Sequence, residues 1–355
     1  MIPYLQAWGV GGIGEVAAGD DLAALLLAGL AATGLDLADG DVLAVSSKVV
    51  SKALGLTVAA PTRDGAIAGQ TVRVVAERET PRGVTRIVES RSGPVLAAAG
   101  VDNSNVAPGT VLVLPPDPDG AARDLRARLA RSTGRTLGVL VTDTMGRPWR
   151  DGQVDAALGA AGLAVTDDLR GGTDGYGNPL EVTVRAVADE LAALADLVKG
   201  KLDQRPAALV RGLGALVTAA DGPGAAALLR TGAGDWFRYG HVEAVRAAVG
   251  VPPGTPGVDP APAAPGTVAE RLQRAVDVAL ASPHWAVSAE VSVTPDGVEL
   301  TVPPGADAPA LVSLGALAQR IVALAVAEGI EGVEALPAAG PDEGHGLVRI
   351  AAAGT

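Results

Sequence analysis

Short apolar runs alternate with longer Ala/Leu-rich stretches along this chain, a pattern of strands feeding helices. Residues 22–33 are Ala/Leu-rich, follow Gly19-Asp20-Asp21 and stop at Gly34, which predicts a helix with Asp20 or Asp21 as its N-cap. Residues 41–46 read as a buried strand that runs straight into Ser47-Lys48-Val49-Val50-Ser51-Lys52. Residues 70–78 fit a helix or a strand equally well, and 85–89 and 111–114 are short strand candidates. Arginines on one face and Ala/Leu on the other predict an amphipathic helix over 120–133. Residues 137–142 form a continuous apolar strand that ends in Asp143-Thr144. A strand over 179–187, a helix over 188–197 and a short strand over 207–210 complete the first part of the chain.

A boundary follows. Six prolines with interspersed Gly and Ala make residues 251–267 a stiff linker. Beyond it the pattern predicts a helix over 268–280, strands near 286–293 and 298–302, a helix over 308–328, and strands near 333–336 and 347–351. That order suits a small α+β domain over 268–355, following a larger domain over 1–250. The longest apolar stretches, 22–30 and 314–326, read as too short or interrupted for a membrane span, and residues 1–10 lack the pattern of a signal peptide.

Composition narrows the chemistry. Hydrophobic residues make up 48% and aromatics 2%, so the core must be built from Ala, Val and Leu. The net charge of −12 disfavours nucleic acid and anionic membranes as partners, although a local basic pocket could still hold an anionic substrate. With no cysteine, thiolate metal sites and cysteine nucleophiles are excluded. Arginine has largely replaced lysine. The only lysines are Lys48, Lys52, Lys199 and Lys201, in two tight pairs, and the only asparagines are Asn103, Asn105 and Asn178. A lysine is a compact charge suited to a phosphate oxygen, a role arginine does not fill equivalently.

Four polar segments lie at strand ends or in loops, where sites on α/β scaffolds gather. In 46–52, Lys48 and Lys52 share a face if the stretch is helical and suit a polyphosphate; a solvated helix start is the plainer reading. Asp102-Asn103-Ser104-Asn105 offers oxygens to a hard divalent cation, hydrogen bonds to a base or ribose, or simply an Asx-turn. Asp143 and Thr144 at a strand end could present a metal ligand, with Arg147 and Arg150 for an anion, or could merely cap the strand. Lys199-Gly200-Lys201, with Arg205 and Arg211, forms a basic loop that could equally complement a helix dipole. There is no P-loop and no dinucleotide fingerprint, and His241, His284 and His345 are dispersed. Two separated aspartates with phosphate-binding lysines point to metal-assisted phosphoryl transfer.

Taken in order, these strings resemble a known family. Gly19-Asp20-Asp21-Leu22, Ser47 to Lys52, Glu89-Ser90-Arg91, Ala99 to Asn105, Thr142 to Arg147, Gly152 to Ala157, Asp174 to Asn178, Ala188-Asp189-Glu190, Val198 to Lys201 and Val210-Arg211-Gly212 together resemble the coenzyme F420-0:L-glutamate ligases over residues 10–240. The resemblance implies a mixed-sheet α/β (α+β) ligase domain, and a cytoplasmic homodimer with strands shared between subunits. The implied reaction is GTP-dependent ligation of L-glutamate to coenzyme F420-0, with further γ-linked glutamates, through an acyl phosphate. Mg or Mn at up to two sites, and a monovalent cation such as K, are implied as helpers. Carried onto this chain, Ile13, Gly14, Glu15, Val16, Ser47, Lys52, Asn105, Gly200 and Lys201 match nucleotide contacts. Asp102, Asp143 and Thr144 match metal ligands, with Asp143, Lys52 and Asp102 as the catalytic set. Two positions depart from relatives: Gly14 stands where many have proline, and Lys201 where an acidic or amide residue helps a second metal. Some relatives carry a flavin domain, for which residues past 267 are too few, so no flavin is expected. Outside the family reading stand a nucleotide-dependent ligase or kinase for another carboxylate, and a non-catalytic nucleotide- or cation-binding protein.

Overall fold

The structure is a computed structural model that describes residues 4–59, 62–81, 83–103, 106–258, 266–282, 289–295, 297–339 and 346–352. The chain forms two compact units of mixed α/β content, Met1–Val72 with Glu89–Arg230, and Arg73–Val88 with Thr231–Thr355.

The first unit is built on a five-stranded sheet. Its strands are β1 (Gln6–Val10), β2 (Val42–Ser46), β3 (Gly138–Arg147), β4 (Arg150–Ala161) and β5 (Ala207–Arg211), in the order β1-β5-β2-β3-β4. Only β2 and β3 run parallel, with Ser46 opposite Thr142; the other neighbours are antiparallel. Four helices matter for the site: α1 (Leu22–Ala32), α2 (Ser47–Ala53), α3 (Pro118–Thr133) and α4 (Val187–Lys199). The apolar runs of the central strands are continuous because both faces are covered. Leu43, Val45, Val139 and Val141 pack with Leu26 and Leu30 of α1 and Leu125 and Leu129 of α3. The alternate residues Val42, Ala44, Leu140 and Ala208 pack with Val187, Ala188, Leu191 and Ala195 of α4. The expected ring-free core is what forms.

Several sequence expectations are met closely. Asp21 caps α1 by accepting the N–H groups of Ala23 and Ala24, and Gly34 follows with φ 74°. Residues 47–53 are helical, and the undecided stretch 70–78 resolves as a strand, Thr71–Thr80, apart from Gln70, which ends a helix over Arg63–Gln70. Two expectations are corrected. The strand holding Asp143 continues to Arg147 and turns back as β4, because cross-strand pairing from Thr144↔Asp155 to Arg147↔Arg150 outweighs the polar composition. Of the strand expected over 179–187, only Val184–Arg185 forms a strand, against Asp167–Asp168, with Pro179 in an isolated bridge to Thr173, since the residues between them bury no face.

A buried fork closes the sheet. Arg211, at the end of β5, donates from Nε and Nη2 to the two carboxylate oxygens of Asp41, each at 2.7 Å, and Asp41 is fully buried. Arg211→Ala strands that carboxylate and should cost about 2 kcal/mol in a urea titration. An unchanged midpoint would show the fork to be dispensable.

The second unit carries a four-stranded antiparallel sheet of β6 (Glu290–Thr294), β7 (Gly297–Val302), β8 (Val333–Ala339) and β9 (Gly346–Ala352), in the order β6-β7-β9-β8. With α5 (His241–Ala248), α6 (Val268–Leu280) and α7 (Ala308–Ala327) it encloses its own core, including Leu272, Val276, Leu300, Leu317, Ile321 and Ile350. The α7 segment, read above as too short for a membrane, makes a helix of 20 residues that is long and apolar enough to cross one. Its Leu314, Leu317, Ile321 and Leu324 are nevertheless buried in this core. Within the same unit, Arg73 holds Glu243 of α5 with two hydrogen bonds, at 2.6 and 2.7 Å. His284, His345 and much of the proline-rich segment lie outside the described residues.

Candidate active site

The site lies in the first unit, where β2 ends at Ser46 and its parallel pairing with β3 stops at Thr142, at the carboxyl side of the parallel pair where sites in open α/β sheets usually lie. A cavity of about 1030 Å³ opens there. It is lined by all four lysines of the chain. Asp102, Asp143, Thr144, Ser47, Gly14, Glu15, Val16 and Gly200 line it as well. Its charged lining comprises six cationic side chains (the lysines, Arg63 and Arg205) against five carboxylates, Glu15, Asp102, Asp143, Asp155 and Asp196. A protein of net charge −12 thus carries a locally cationic cavity.

The sequence builds this convergence with short devices. Ser46 ends β2, and its hydroxyl accepts the N–H of Lys48, so the strand passes directly into α2. One helical turn then places Lys48 and Lys52 on the same side. Lys48 Nζ reaches Asp102 Oδ2 at 2.7 Å, and Lys52 pairs with Glu15. Lys52 is anchored, with its side chain 10% exposed, whereas that of Glu15 is 79% exposed. The turn before Asp102 is left-handed at Ala98, Ala99 and Gly100, with φ of 53°, 54° and 69°. For two alanines this conformation costs roughly 1–2 kcal/mol each, strain held beside the site.

Asp143 sits half-buried among other acids. Burial, with the neighbouring charges of Asp155 and Asp102 added, pushes its carboxyl up to about 6, against hydrogen bonds from the Thr144 backbone N–H and the Ser47 hydroxyl. Among the described residues no ion pair relieves it. A carboxylate held so, with Asp102 near and the Thr144 hydroxyl adjacent, suits a hard divalent cation. The described residues hold no group of three or more carboxylates or histidines placed to cage an ion. The donor set therefore fits an ion that completes its shell with phosphate oxygens and water, as magnesium commonly does.

At the far end of α4, Lys199 is buried and pairs with Asp155, also donating to Thr142 Oγ1 at 2.8 Å. Lys201, past Gly200, donates to Thr144 Oγ1 at 2.7 Å. The lysines of this loop thus serve side-chain partners in the cavity, beyond any complementation of the helix dipole.

Of the residues singled out in the sequence, Asp102, Asp143, Thr144, Gly14, Glu15, Val16, Ser47, Lys52, Gly200 and Lys201 come together in the cavity. The Ile13 side chain does not line it; it is buried in the core with Leu26 and Leu30. Asn105 lies outside the described residues. The sequence reading gave no role to Asp155, Arg63 or Gln153, all of which line the cavity. A signal for Asp155 existed, since it is the lone acid opening the apolar run 156–161.

A profile of the F420-0:γ-glutamyl ligases matches residues 12–212, more than half of the chain. The chain belongs to the F420-0:γ-glutamyl ligase family. It is also similar to the coenzyme F420:L-glutamate ligase of Methanopyrus kandleri, 41% identical over 244 residues, 63% of this chain and 94% of that protein. The protein of the same name from Methanothermobacter thermautotrophicus is 41% identical over 225 residues, covering 58% and 87%. That from Halobacterium salinarum is 41% identical over 228 residues, with the same coverage. The matched stretch runs from the glycines before Ile13 to Gly212 after β5, and so contains every residue lining the cavity. Family membership makes this ligase fold the carrier of the chemistry; the second unit lies largely beyond the match.

Proposed function

We propose that this chain ligates L-glutamate to coenzyme F420-0, and adds further γ-linked glutamates, with GTP converted to GDP and phosphate. The observation that carries the proposal is the meeting of all four lysines with Asp102 and Asp143 in one cavity. The carboxylate at the lactyl end of the acceptor attacks the γ-phosphorus of GTP, the bond to the β-phosphate oxygen breaks, and an acyl phosphate and GDP result. The amine of glutamate then attacks the acyl carbon, phosphate leaves, and the amine loses its proton as the amide forms. Lys52 and Lys48 offset charge on the transferring group. Glu15 is the exposed partner of Lys52 and gives way to a phosphate, while the ammonium stays anchored. Gly14, Val16, Ser47, Gly200 and Lys201, which line the cavity, take the nucleotide in this reading, and Asp196 and Arg205 line the same cavity.

Asp102, Asp143 and Thr144 are the residues that would hold a magnesium or manganese ion, which supplies charge neutralisation for the phosphates when bound. Lys201 stands over Thr144, so its ammonium occupies space that a second ion would need. In our reading the protein acts in the cytoplasm as a homodimer.

The test incubates the purified full chain with coenzyme F420-0, glutamate, manganese and either GTP or ATP, and follows products by mass spectrometry. A glutamyl adduct with one GDP per addition, and little product with ATP, is expected. Adduct with ATP alone would move the protein to another nucleotide class; GTP left intact with every acceptor would leave only a binding protein.

A further inference from the structure

We infer that Asp155, held in place by Lys199, is a positioning residue that sets the Lys201 ammonium in the cavity through the hydroxyl of Thr144. The inference rests on the nucleotide-binding reading given above. Asp155 and Lys199 are each 4% exposed and Thr142 is fully buried, so this pair offers almost no surface to a ligand. Its polar atoms are nonetheless fully directed. Asp155 Oδ2 accepts from the Lys199 ammonium and from Thr142 Oγ1, the latter at 2.9 Å, and Lys199 also donates to Thr142. Asp155 Oδ1 accepts from Thr144 Oγ1 at 2.9 Å.

The consequence follows from the proton count. A threonine hydroxyl has one hydrogen to give, and that of Thr144 goes to Asp155. Toward the cavity it presents lone pairs alone. It cannot donate to a phosphate oxygen there; its two lone pairs can only accept from a donor or ligate an ion. Lys201 takes one of them, with Nζ at 2.7 Å. Lys201 is exposed, rides on a flexible four-carbon stem, and has no other partner among the described residues. The Thr144 hydroxyl therefore decides where the ammonium stands, and Asp155 decides how that hydroxyl is turned. Lys199 pairs with the buried carboxylate and supplies a compensating charge where water does not reach. The strands support this: Thr144 lies opposite Asp155 in the β3–β4 register, next to a register shift at Val141/Thr142 that re-aims the strand end.

Removing one member of a buried pair leaves a stranded charge, so both are changed together. Asp155→Asn with Lys199→Met keeps an oxygen to accept the Thr144 proton. Asp155→Leu with Lys199→Met keeps the volume and removes the acceptor. Full-length proteins are titrated calorimetrically with the magnesium complex of a non-hydrolysable GTP analogue, and thermal melts report folding. The Asn pair should bind within about 3-fold of wild type, and the Leu pair roughly 10-fold more weakly, the scale of one charge-assisted hydrogen bond. Lys201→Met should weaken binding to a similar extent and add nothing further in the Leu-pair background. A folded Leu pair that binds as wild type, or full additivity with Lys201→Met, would overturn the inference. Should the Leu pair fail to fold, Thr144→Val takes its place: non-additivity with Lys201→Met supports the inference and additivity overturns it. A wild-type protein that binds no analogue sinks the nucleotide reading itself, a result separable from the others.

Discussion

Asp143→Asn should give a folded protein whose GTP-dependent glutamate incorporation is lower by roughly 10³-fold, the scale on which preorganised charge at a transferring group acts. The amide keeps an oxygen to accept from Ser47 and the Thr144 N–H but loses the charge that suits a divalent ion. The same substitution should stabilise the fold. Wild-type Asp143 has a carboxyl raised from 3.8 to about 6, chiefly by burial. The sign follows directly. The folded state holds this proton more tightly than the unfolded chain, so the group's contribution is most favourable below 3.8, declines as pH rises to about 6, and is flat above. The asparagine variant lacks that decline. Its advantage over wild type should open between pH 4 and pH 6 and reach up to about 3 kcal/mol at pH 8, the equivalent of the raised value. Denaturant titrations with a chelator present, at pH 4 and pH 8, check this. A variant that is inactive and also less stable at pH 8 would mean that Asp143 is a structural acid.

Such a trade of stability for activity is a mark of a working site, and it shows what the sequence could and could not disclose. The elements around the cavity were legible because each has a local cause: Asp21 caps α1, apolar runs make β2 and β3, and Lys48 and Lys52 stand one turn apart. Those causes act over four residues or fewer. Asp102 and Asp143 were legible as a pair only by composition and family likeness, because nothing local says that a left-handed turn at Ala98–Gly100 meets the middle of β3. Asp155 stood in a family-matching string, but its role was not legible. Its partners lie 11, 13 and 44 residues away, and only the β3–β4 register and the end of α4 bring them together. Likewise Arg211 was read as part of a basic loop, yet it is spent on Asp41, 170 residues distant, as a structural fork. Charge in a loop is visible in a sequence, but which partner consumes it is a property of the topology. The failed strand over 179–187 has the converse origin, since β-favouring residues such as Val182 and Val184 are exposed and find little to pair with.

Lys52→Arg should fold normally and lose roughly 10²-fold in turnover, although it preserves charge and follows the preference of the whole chain for arginine. The lysine side chain is 10% exposed, and its helix is wedged against the core by Val49 and Val50. A guanidinium is longer and planar and presents a rigid fork, so in this space it cannot turn three donors onto a tetrahedral phosphate as an ammonium does. An exposed control separates room from charge. Arg128 pairs with Asp124 on the surface of α3, with side chains 47% and 61% exposed, and Arg128→Lys should leave both turnover and stability unchanged. If lysine scarcity has the physical cause argued here, the cavity lysines resist the exchange that surface positions accept in either direction. Steady-state kinetics with varied GTP would register the loss at Lys52 in kcat as well as KM, because the group touches charge that develops during transfer. Undiminished turnover in Lys52→Arg would remove the reason to regard this cavity lysine as chosen for phosphate, and with it the main physical support for a nucleotide in this cavity.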